Sequence, residues 1–388
     1  MIDLQGIFKK YGNEYREKHS LPIKVLKTVR AIEKCRTAEM GGHVDECDEC
    51  GHLRISYDSC RNRHCPKCQT FAKEKWIEAR KEELLPVGYF HVVFTIPEEL
   101  NYITLTNPKE MYAILFKAAS ETLHELGEDK KYLGALLGFI SVLHTWGQAL
   151  MNHPHIHCIV PSGGLSLDGT RWINSKKKFF IPVKVLSRVF RGKFLFYLKK
   201  AYDSNLLKYT TGIEELLSKN VFQAFKNKLY EKEWIVFCKA PFKSPGHVLE
   251  YLGRYTHRVC ISNNRILSAE DGEVKFKWRD YRDKNKEKVM TLAADEFIRR
   301  FIMHILPPGF IKIRHFGFLS NRNKSIKLKK CKMLTFSMQN KIEEVQKKLT
   351  TTELLFKLTG KDINACPCCK KGKMVIKQTL TPKNYTVP

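Results

Sequence analysis

The sequence has no long apolar run, and this absence argues against a membrane-spanning helix. Its longest apolar stretch, around residues 132–146, contains two glycines and a histidine, whereas a membrane span needs about 18 or more apolar residues. The N-terminus also lacks the apolar core of a signal peptide, so we expect a reducing cytoplasm. A phosphate-binding GxxxxGKS/T loop is missing as well, which leaves no sign of an associated helicase.

Acidic residues are few relative to basic ones. The 388 residues include 68 Lys and Arg against 40 Asp and Glu, a formal net charge of +28. Nucleic acid is the expected partner, because each phosphate that a cation neutralises releases counterions. An acidic membrane surface is the weaker alternative. Charge alone leaves ribosome-binding, nuclease and regulator functions open.

The chain contains thirteen cysteines, which in a reducing compartment predict metal ligation rather than disulfides. Two Cys-x-x-Cys pairs are separated by fourteen residues, a spacing typical of two knuckles that share one tetrahedral zinc. Gly51 supports the first knuckle because it tolerates a positive φ. The predicted zinc ligands are Cys47, Cys50, Cys65 and Cys68.

Further ligand-type residues surround these pairs and predict a second zinc site, with exchange of ligands between the two sites left open. Its candidates are Cys35, His43, Cys60 and His64. The alternative is that Cys60 belongs to the core and the histidines lie on the surface or face DNA. In the C-terminal tail, Cys366 and Cys369 form half of a zinc knuckle without an obvious second half, although Cys331 and a histidine are candidates to complete it.

The pattern His155-Ile156-His157 lies in an apolar run that ends at Gly163 and Gly164. Because successive side chains of a strand alternate between faces, a strand here puts both imidazoles on one face, where they could hold a metal. A lone His-x-His pair usually belongs to a core or a surface. His91, on an earlier predicted strand, is expected to be a core histidine.

About ninety residues further on, Ser244 and Pro245 are typical of a helix N-cap and first helical position. This start places Tyr251 and Tyr255 one turn apart on the same side of the helix. The pair is either two core aromatics or two phenols available for chemistry. A phenolate beside a metal can attack a phosphodiester and form a covalent bond to one DNA end, and the nearby cations Arg254 and Arg258 favour that form and can contact phosphate.

Together these patterns resemble the HUH endonuclease superfamily, in which a histidine–hydrophobe–histidine strand is followed by a helix with Tyr-x-x-x-Tyr. A closer resemblance, to the two-tyrosine rolling-circle transposases of bacterial insertion sequences, is carried by the segments CRTAEMGGH, SCRNRHCPKCQ, LHTWGQAL, NHPHIHCIVPSGGL, YLGRYTHRVCISN and LPPGFIKIRHFGFLSNR. It covers most of the chain, from about Cys35 to about Arg322.

The resemblance implies that Tyr251 and Tyr255 are the nucleophiles and that a third metal ligand lies on the strand before His155. We favour Gln148, with His144 and His153 as alternatives. Two imidazoles and a carbonyl oxygen leave positions for phosphate oxygens, so we expect Mn²⁺ or Mg²⁺ held jointly by protein and DNA, besides structural Zn²⁺.

Other cations are expected to contact DNA phosphates. Arg61, Arg63 and Lys67 alternate with the zinc ligands, and Arg314 and Arg322 lie among phenylalanines that could stack on bases of a single strand. The alternative for these phenylalanines is burial in a core.

The predicted fold class is α+β, an HUH endonuclease domain with an antiparallel sheet and helices packed on it. The expected parts are a helical segment 1–34, a zinc-binding domain 35–85, an HUH domain 86–262 with an insertion at about 166–232, and a basic C-terminal region 263–388. The resemblance implies a transposase that nicks and joins single-stranded DNA at insertion-element ends through a 5′-phosphotyrosine. A rolling-circle replication initiator and a non-catalytic zinc-dependent DNA-binding regulator are the alternatives.

Overall fold

The computed structural model describes residues 2–175, 181–242, 251, 253, 255–336 and 349–382, which form an α+β fold with antiparallel sheets. The strands are β1 Gly42–Cys47, β2 Leu53–Tyr57, β3 Tyr89–Thr95, β4 Ala135–Leu136, β5 Gly138–Trp146, β6 Asn152–Pro161, β7 Gly163–Ser166, β8 Trp172–Asn174, β9 Val236–Phe242, β10 Ile266–Glu270, β11 Glu273–Asp280, β12 Lys286–Ala293, β13 Ile313–Gly317 and β14 Met374–Leu380. The predicted fold class is confirmed.

Helices connect and cover these strands. The helices with defined bounds are α1 Leu4–Lys18, α2 Ile23–Lys34, α3 Pro66–Arg80, α4 Asn101–Thr106, α5 Pro108–Glu128, α6 Val183–Asp203, α7 Lys219–Glu231, α8 Ala294–Ile302, α9 Lys324–Phe336 and α10 Thr351–Thr359. Residues 251, 253, 255 and 256 are also helical, and we call them the tyrosine helix. In the described part of the chain, no helix combines the length and the apolar character that crossing a bilayer requires.

The central sheet has five antiparallel strands in the order β13-β5-β6-β3-β9. Its two faces differ because side chains alternate along each strand. Phe94, Ile156 and Cys158 point to one face and are fully buried against α5 and α6, where Phe94 packs on Phe190 at 4.9 Å between ring centroids. This apolar layer supports the sheet and leaves the opposite face for polar side chains.

A second core joins the N-terminal helices to residues 260–305. Apolar residues of α1 and α2 pack with the sheet β10-β11-β12 and with α8, for example Phe8 on Phe301 at 5.3 Å between ring centroids. Cys35, Cys65 and Cys68 belong to the same cluster. The segment that contains the Cys65 and Cys68 pair is therefore packed against residues 260–305.

The N-terminal hairpin β1–β2 is extended by a strand from the other end of the chain. β14 pairs with β1 from Gly42 opposite Leu380 to Cys47 opposite Met374, which gives the sheet order β14-β1-β2. This pairing brings the tail cysteines to the first cysteine pair.

Candidate active site and metal centres

Three imidazoles meet on the polar face of the central sheet. In the register of β5 and β6, His144 lies opposite His155 and Val142 lies opposite His157, so all three histidines share one face. One ring nitrogen from each lies within 4.8 Å of the others. His144 and His157 are buried and His155 is half-buried. Such a group of nitrogen donors can hold one divalent metal ion.

Backbone carbonyls orient two of these rings. Nδ1 of His155 lies 2.6 Å from the carbonyl oxygen of His153, and Nε2 of His144 lies 2.6 Å from that of Tyr255. A carbonyl only accepts, so each of these nitrogens carries the proton and the other nitrogen of the ring keeps its lone pair. Metal-ligating histidines are typically oriented by such an outer hydrogen bond. The ring orientation therefore fits a metal site.

Both tyrosine hydroxyls connect to this cluster through His91. The Tyr255 hydroxyl donates to the Tyr251 oxygen at 2.9 Å, and the Tyr251 oxygen lies 2.8 Å from Nδ1 of His91. Nε2 of His91 lies 2.8 Å from Nδ1 of His157, whose Nε2 lies 3.1 Å from Nδ1 of His144. One continuous hydrogen-bonded network thus contains both phenols and two of the three candidate ligands.

Burial keeps these imidazoles neutral. It lowers the pKa of His155 to about 3 and that of His91 to about 4, and it lowers the pKa of His144 and His157 well below the usual histidine value. Arg258 lowers the pKa of the three cluster histidines further. A neutral imidazole has the lone pair that metal coordination needs.

The structure offers His144 as a third ligand besides the predicted Gln148. β5 ends at Trp146, so Gln148 lies beyond the strand, in the turn that follows it. The amide nitrogen of Gln148 instead donates to the exposed Tyr281 hydroxyl at 2.9 Å. The prediction assumed that the strand continued to residue 148. His144, the first alternative, occupies the position beside His155.

His91 was expected to be a core histidine, and it is buried, but it contacts both Tyr251 and His157. In the sequence it is an isolated histidine in an apolar strand. Only the pairing of β3 beside β6 places it next to the His-x-His strand, and the sequence alone does not fix that register. Ser244, Pro245 and Arg254 lie outside the described residues.

Eight of the thirteen cysteines form two clusters, each with four sulfurs, and this grouping differs from the predicted one. Cys65 and Cys68 lie with Cys35 and Cys60, at 3.6 to 3.7 Å between neighbouring sulfurs. Cys47 and Cys50 lie instead with Cys366 and Cys369. Four thiolates about 2.3 Å from one zinc lie roughly 3.8 Å apart, so the first cluster fits a tetrahedral zinc. All three pairs have the same Cys-x-x-Cys spacing, so the spacing does not predict which pairs share a metal.

The two histidines that were predicted as ligands of a second zinc are elsewhere. His43 lies on β1 with its Nε2 3.5 Å from a carboxylate oxygen of Asp45. His64 accepts a hydrogen bond at Nε2 from the backbone of Leu306 at 3.3 Å, and burial lowers its pKa to about 3. Each ring has a different partner, and the four thiols of the Cys35 cluster complete that site without them.

A cationic cleft lies beside the tyrosine helix. It has a volume of about 480 Å³ between α3 and residues 253–265. Lys67, Lys73, Arg258 and Arg265 line it together with Asn263 and other polar residues, and the described lining contains no carboxylate. Its cationic and polar lining suits a phosphate backbone.

The other predicted DNA-contacting residues have varied surroundings. Arg63 donates to the Phe310 carbonyl, and Lys67 pairs with Asp3 at 2.8 Å. Arg61 and Arg322 are exposed. The guanidinium of Arg314 lies over the Phe116 ring, 4.1 Å from its centroid.

The phenylalanines near Arg314 do not form an open stacking surface. Phe310 and Phe318 are buried, and Phe316 stacks on Phe139 at 5.2 Å between ring centroids. The alternative, burial in a core, is the correct one for these rings.

Comparisons with known proteins find two family models that match the chain. Residues 7–96 match the family model described as a transposase zinc-binding domain, and residues 138–326 match the model described as a putative transposase. The chain is 48% identical over 374 residues to the putative transposase y4qJ of Sinorhizobium fredii (strain NBRC 101917 / NGR234), which covers 96% of this chain and 94% of that protein.

A more distant relative is the transposase for insertion sequence element IS801 of Pseudomonas savastanoi pv. phaseolicola. It is 26% identical over 303 residues, which is 76% of this chain and 70% of that protein. No solved structure matches the chain.

Proposed function

Because this chain belongs to the IS91/Y2 family of transposases, we propose that it nicks and rejoins single-stranded DNA at the ends of an insertion element through a covalent tyrosine intermediate. The observation that carries the proposal is the network of Tyr255, Tyr251, His91, His157 and His144. It aligns two nucleophile candidates with a group of metal-ligand candidates. A DNA-binding regulator has no use for this arrangement.

The residues that would hold the catalytic metal are His144, His155 and His157. A divalent ion bound there would neutralise and align the scissile phosphate. Replacing the predicted amide oxygen of Gln148 by a third imidazole changes the donor set to three nitrogens. Nitrogen donors suit Mn²⁺ better than Mg²⁺, which prefers oxygen ligands. We therefore favour Mn²⁺ over Mg²⁺ at this site.

The polarity of the network favours Tyr251 as the first nucleophile. Nδ1 of His157 faces His91, so only Nε2 is available as a ligand atom. With a metal ion on its Nε2, a neutral His157 would carry its proton on Nδ1 and donate to His91, which would then donate from Nδ1 to the Tyr251 oxygen. Tyr255 donates to the same oxygen. Two donors aimed at one oxygen favour its anionic form.

Each bond that forms in this reaction replaces one that breaks. The Tyr251 oxygen, after losing its proton to solvent, forms a bond to phosphorus while the bond between phosphorus and the 3′-oxygen breaks. The departing 3′-oxygen takes up a proton and becomes a 3′-hydroxyl. A later attack by a 3′-hydroxyl releases the tyrosine and reseals a strand, so no nucleotide hydrolysis is needed. Tyr255 allows a second cleavage before the first link is resolved.

The cationic cleft is the proposed path of the single strand towards the tyrosines. Arg258 lines the cleft and also acts electrostatically on the three imidazoles, so it connects the two regions. The ammonium of Lys239 lies 5.7 Å from the centroid of the Tyr251 ring. Both cations would attract a phosphate to the tyrosines.

The experiment is to incubate the protein with Mn²⁺ and single-stranded oligonucleotides that carry the element ends, and to look for a denaturation-resistant adduct. We expect an adduct in the wild type, mapped by mass spectrometry to Tyr251, and none in the variant with both Tyr251→Phe and Tyr255→Phe. Tyr281→Phe is the matched control, because this exposed tyrosine bonds to Gln148 and is not part of the network of Tyr255, Tyr251, His91, His157 and His144. A wild type without any adduct across all end sequences would favour the regulator.

A further inference from the structure

The second cysteine cluster is built from both ends of the chain. Cys47 and Cys50 come from the hairpin β1–β2, whereas Cys366 and Cys369 come from the segment before β14. Sulfur atoms of Cys47 and Cys369 are 3.7 Å apart, as are those of Cys50 and Cys366. All four lie within 4.8 Å of one another. These distances match four thiolates around one zinc and are far longer than the roughly 2.05 Å of a disulfide.

The two cysteine pairs also have the same local backbone structure. In the first, the N–H of Gly51 donates to the Cys47 carbonyl at 3.1 Å; in the second, the N–H of Lys370 donates to the Cys366 carbonyl at 3.1 Å. The residue after each second cysteine has a positive φ, 68° for Gly51 and 59° for Lys370. Two equivalent knuckles that face each other are the usual way to enclose a structural zinc.

Backbone N–H groups point at the sulfurs of the tail knuckle. The N–H of Cys368 lies 3.3 Å from the Cys366 sulfur, and that of Gly372 lies 3.3 Å from the Cys369 sulfur. Hydrogen bonds of this kind stabilise a thiolate over a thiol. A thiolate is the form that binds zinc.

The two knuckles are held in register by contacts outside the cysteines. Asp48 receives a hydrogen bond from the N–H of Lys373 at 2.7 Å and donates its own N–H to the Lys373 carbonyl at 3.1 Å. Gly372 lies so close to the first knuckle that a Cβ there would be 2.4 Å from the Cys47 sulfur. The backbone is therefore shaped for this pairing of knuckles.

We propose that Cys47, Cys50, Cys366 and Cys369 bind one structural zinc ion that joins the N-terminal zinc-binding module to the C-terminal tail. Two of these four ligands lie beyond residues 7–96 and 138–326, the segments that match transposase family models. The site closes a loop of 316 residues between Cys50 and Cys366. Closing so long a loop restricts the unfolded chain considerably.

This zinc also positions a helix next to the cleft. Within the tail, the backbone N–H of Leu349 donates to the buried Glu78 carboxylate of α3 at 3.0 Å, and α10 packs on α3. Since α3 forms one wall of the cationic cleft, the zinc fixes the tail against the outer side of that wall. Without the ion, residues 349–382 would detach more readily.

The first test measures zinc in the purified full-length protein. We expect two zinc ions per chain in the wild type, one for each cysteine cluster, and one fewer in the variant Cys366→Ser with Cys369→Ser. The variant Cys47→Ser with Cys50→Ser should lose the same single ion, and combining all four substitutions should lose no more. Cys368→Ser is the matched control, because this exposed cysteine lies between the proposed ligands but outside the cluster.

Two results of this measurement would overturn the proposal. Unchanged zinc in the Cys366 and Cys369 variant would show that the tail pair binds none, and loss of two ions in the fourfold variant would show separate sites. Limited proteolysis supplies a readout of position: cleavage within residues 349–382 should speed up by about tenfold or more in the paired variants and not in Cys368→Ser.

A second measurement needs no variant and so remains valid if the serine variants fail to fold. Zinc is removed from the wild type with a chelator, the thiols are oxidised with diamide, and the disulfides are mapped by mass spectrometry. We expect Cys47 or Cys50 linked to Cys366 or Cys369. Links from Cys47 or Cys50 to Cys65 or Cys68 would contradict the proposal.

Discussion

At the scale of single residues, His91 has the most specific position in the network. Its two ring nitrogens contact the Tyr251 hydroxyl and His157, each at 2.8 Å. It therefore couples the protonation of Tyr251, a candidate nucleophile, to that of His157, a candidate metal ligand. A substitution here changes the orientation of the tyrosine without removing a ligand.

We predict that His91→Phe lowers the rate of adduct formation by about 100-fold, because Tyr251 loses one of its two hydrogen-bonding partners, the imidazole. Mn²⁺ binding, measured by calorimetry, should change little. His91→Gln, which keeps a polar group in the strand, should recover part of the rate. His124→Phe is the control, since His124 packs on Phe139 from the opposite side of the sheet. Equal rates in His91→Phe and the wild type would remove His91 from the mechanism.

The two candidates for the third ligand give a direct comparison. We predict that His144→Ala weakens Mn²⁺ binding by about 10- to 100-fold or more, because one of three imidazoles is lost. Gln148→Ala should leave the affinity unchanged, since its side chain contacts Tyr281 instead. Calorimetry on both variants in the absence of DNA measures the difference. Weaker binding in Gln148→Ala together with unchanged binding in His144→Ala would instead identify the Gln148 amide as the third ligand.

At the scale of secondary structure, the sequence predicts those strands that depend on the local alternation of side chains. The strand with His155 and His157 follows from the alternation around it, and both side chains do share a face. The extent of β5 does not follow, because the end of the strand at Trp146 depends on a turn that Leu150 completes with a φ of 59°. The pairing of cysteines depends on β14 joining β1, a contact between distant segments that spacing cannot reveal.

The edge strand β13 matters because it pairs with β5, which carries His144. Gly317 ends β13 with a φ of 58°, and a Cβ there would lie 1.7 Å from the Leu137 carbonyl oxygen. We predict that Gly317→Ala lowers the free energy of unfolding by about 3 kcal/mol or more, through a strained φ and a clash with backbone. Urea denaturation measures the change.

The control for this prediction separates strain from clash. Gly272 has a φ of 75°, but a Cβ added there would have no atom within 4 Å, so Gly272→Ala keeps only the cost of the left-handed conformation. That cost is about 1 kcal/mol. Equal destabilisation by the two substitutions would mean that the backbone contact at Leu137 adds nothing.

At the scale of the whole molecule, the net charge of +28 explains attraction to a polyanion but not its place of binding. Many cations that looked available in the sequence have partners: Arg63 is bound to a carbonyl and Arg314 rests on aromatic rings. The cleft gathers cations from α3 and from the segment after the tyrosine helix. Its position depends on the packing of α3 beside residues 253–265, so no single stretch of sequence identifies it.

We predict that substitutions in the cleft change the salt dependence of DNA binding. Each lost phosphate contact should reduce the slope of log K against log salt concentration by about 0.7 for a single strand. Lys73→Ala and Arg258→Ala should each show such a decrease, and the double variant about twice as much, when binding of an element-end oligonucleotide is followed by fluorescence anisotropy. Lys228→Ala is the control, because this exposed lysine lies on α7, which does not line the cleft. If all three single variants changed the slope equally, binding would reflect the overall charge of the protein and not a defined path for the strand.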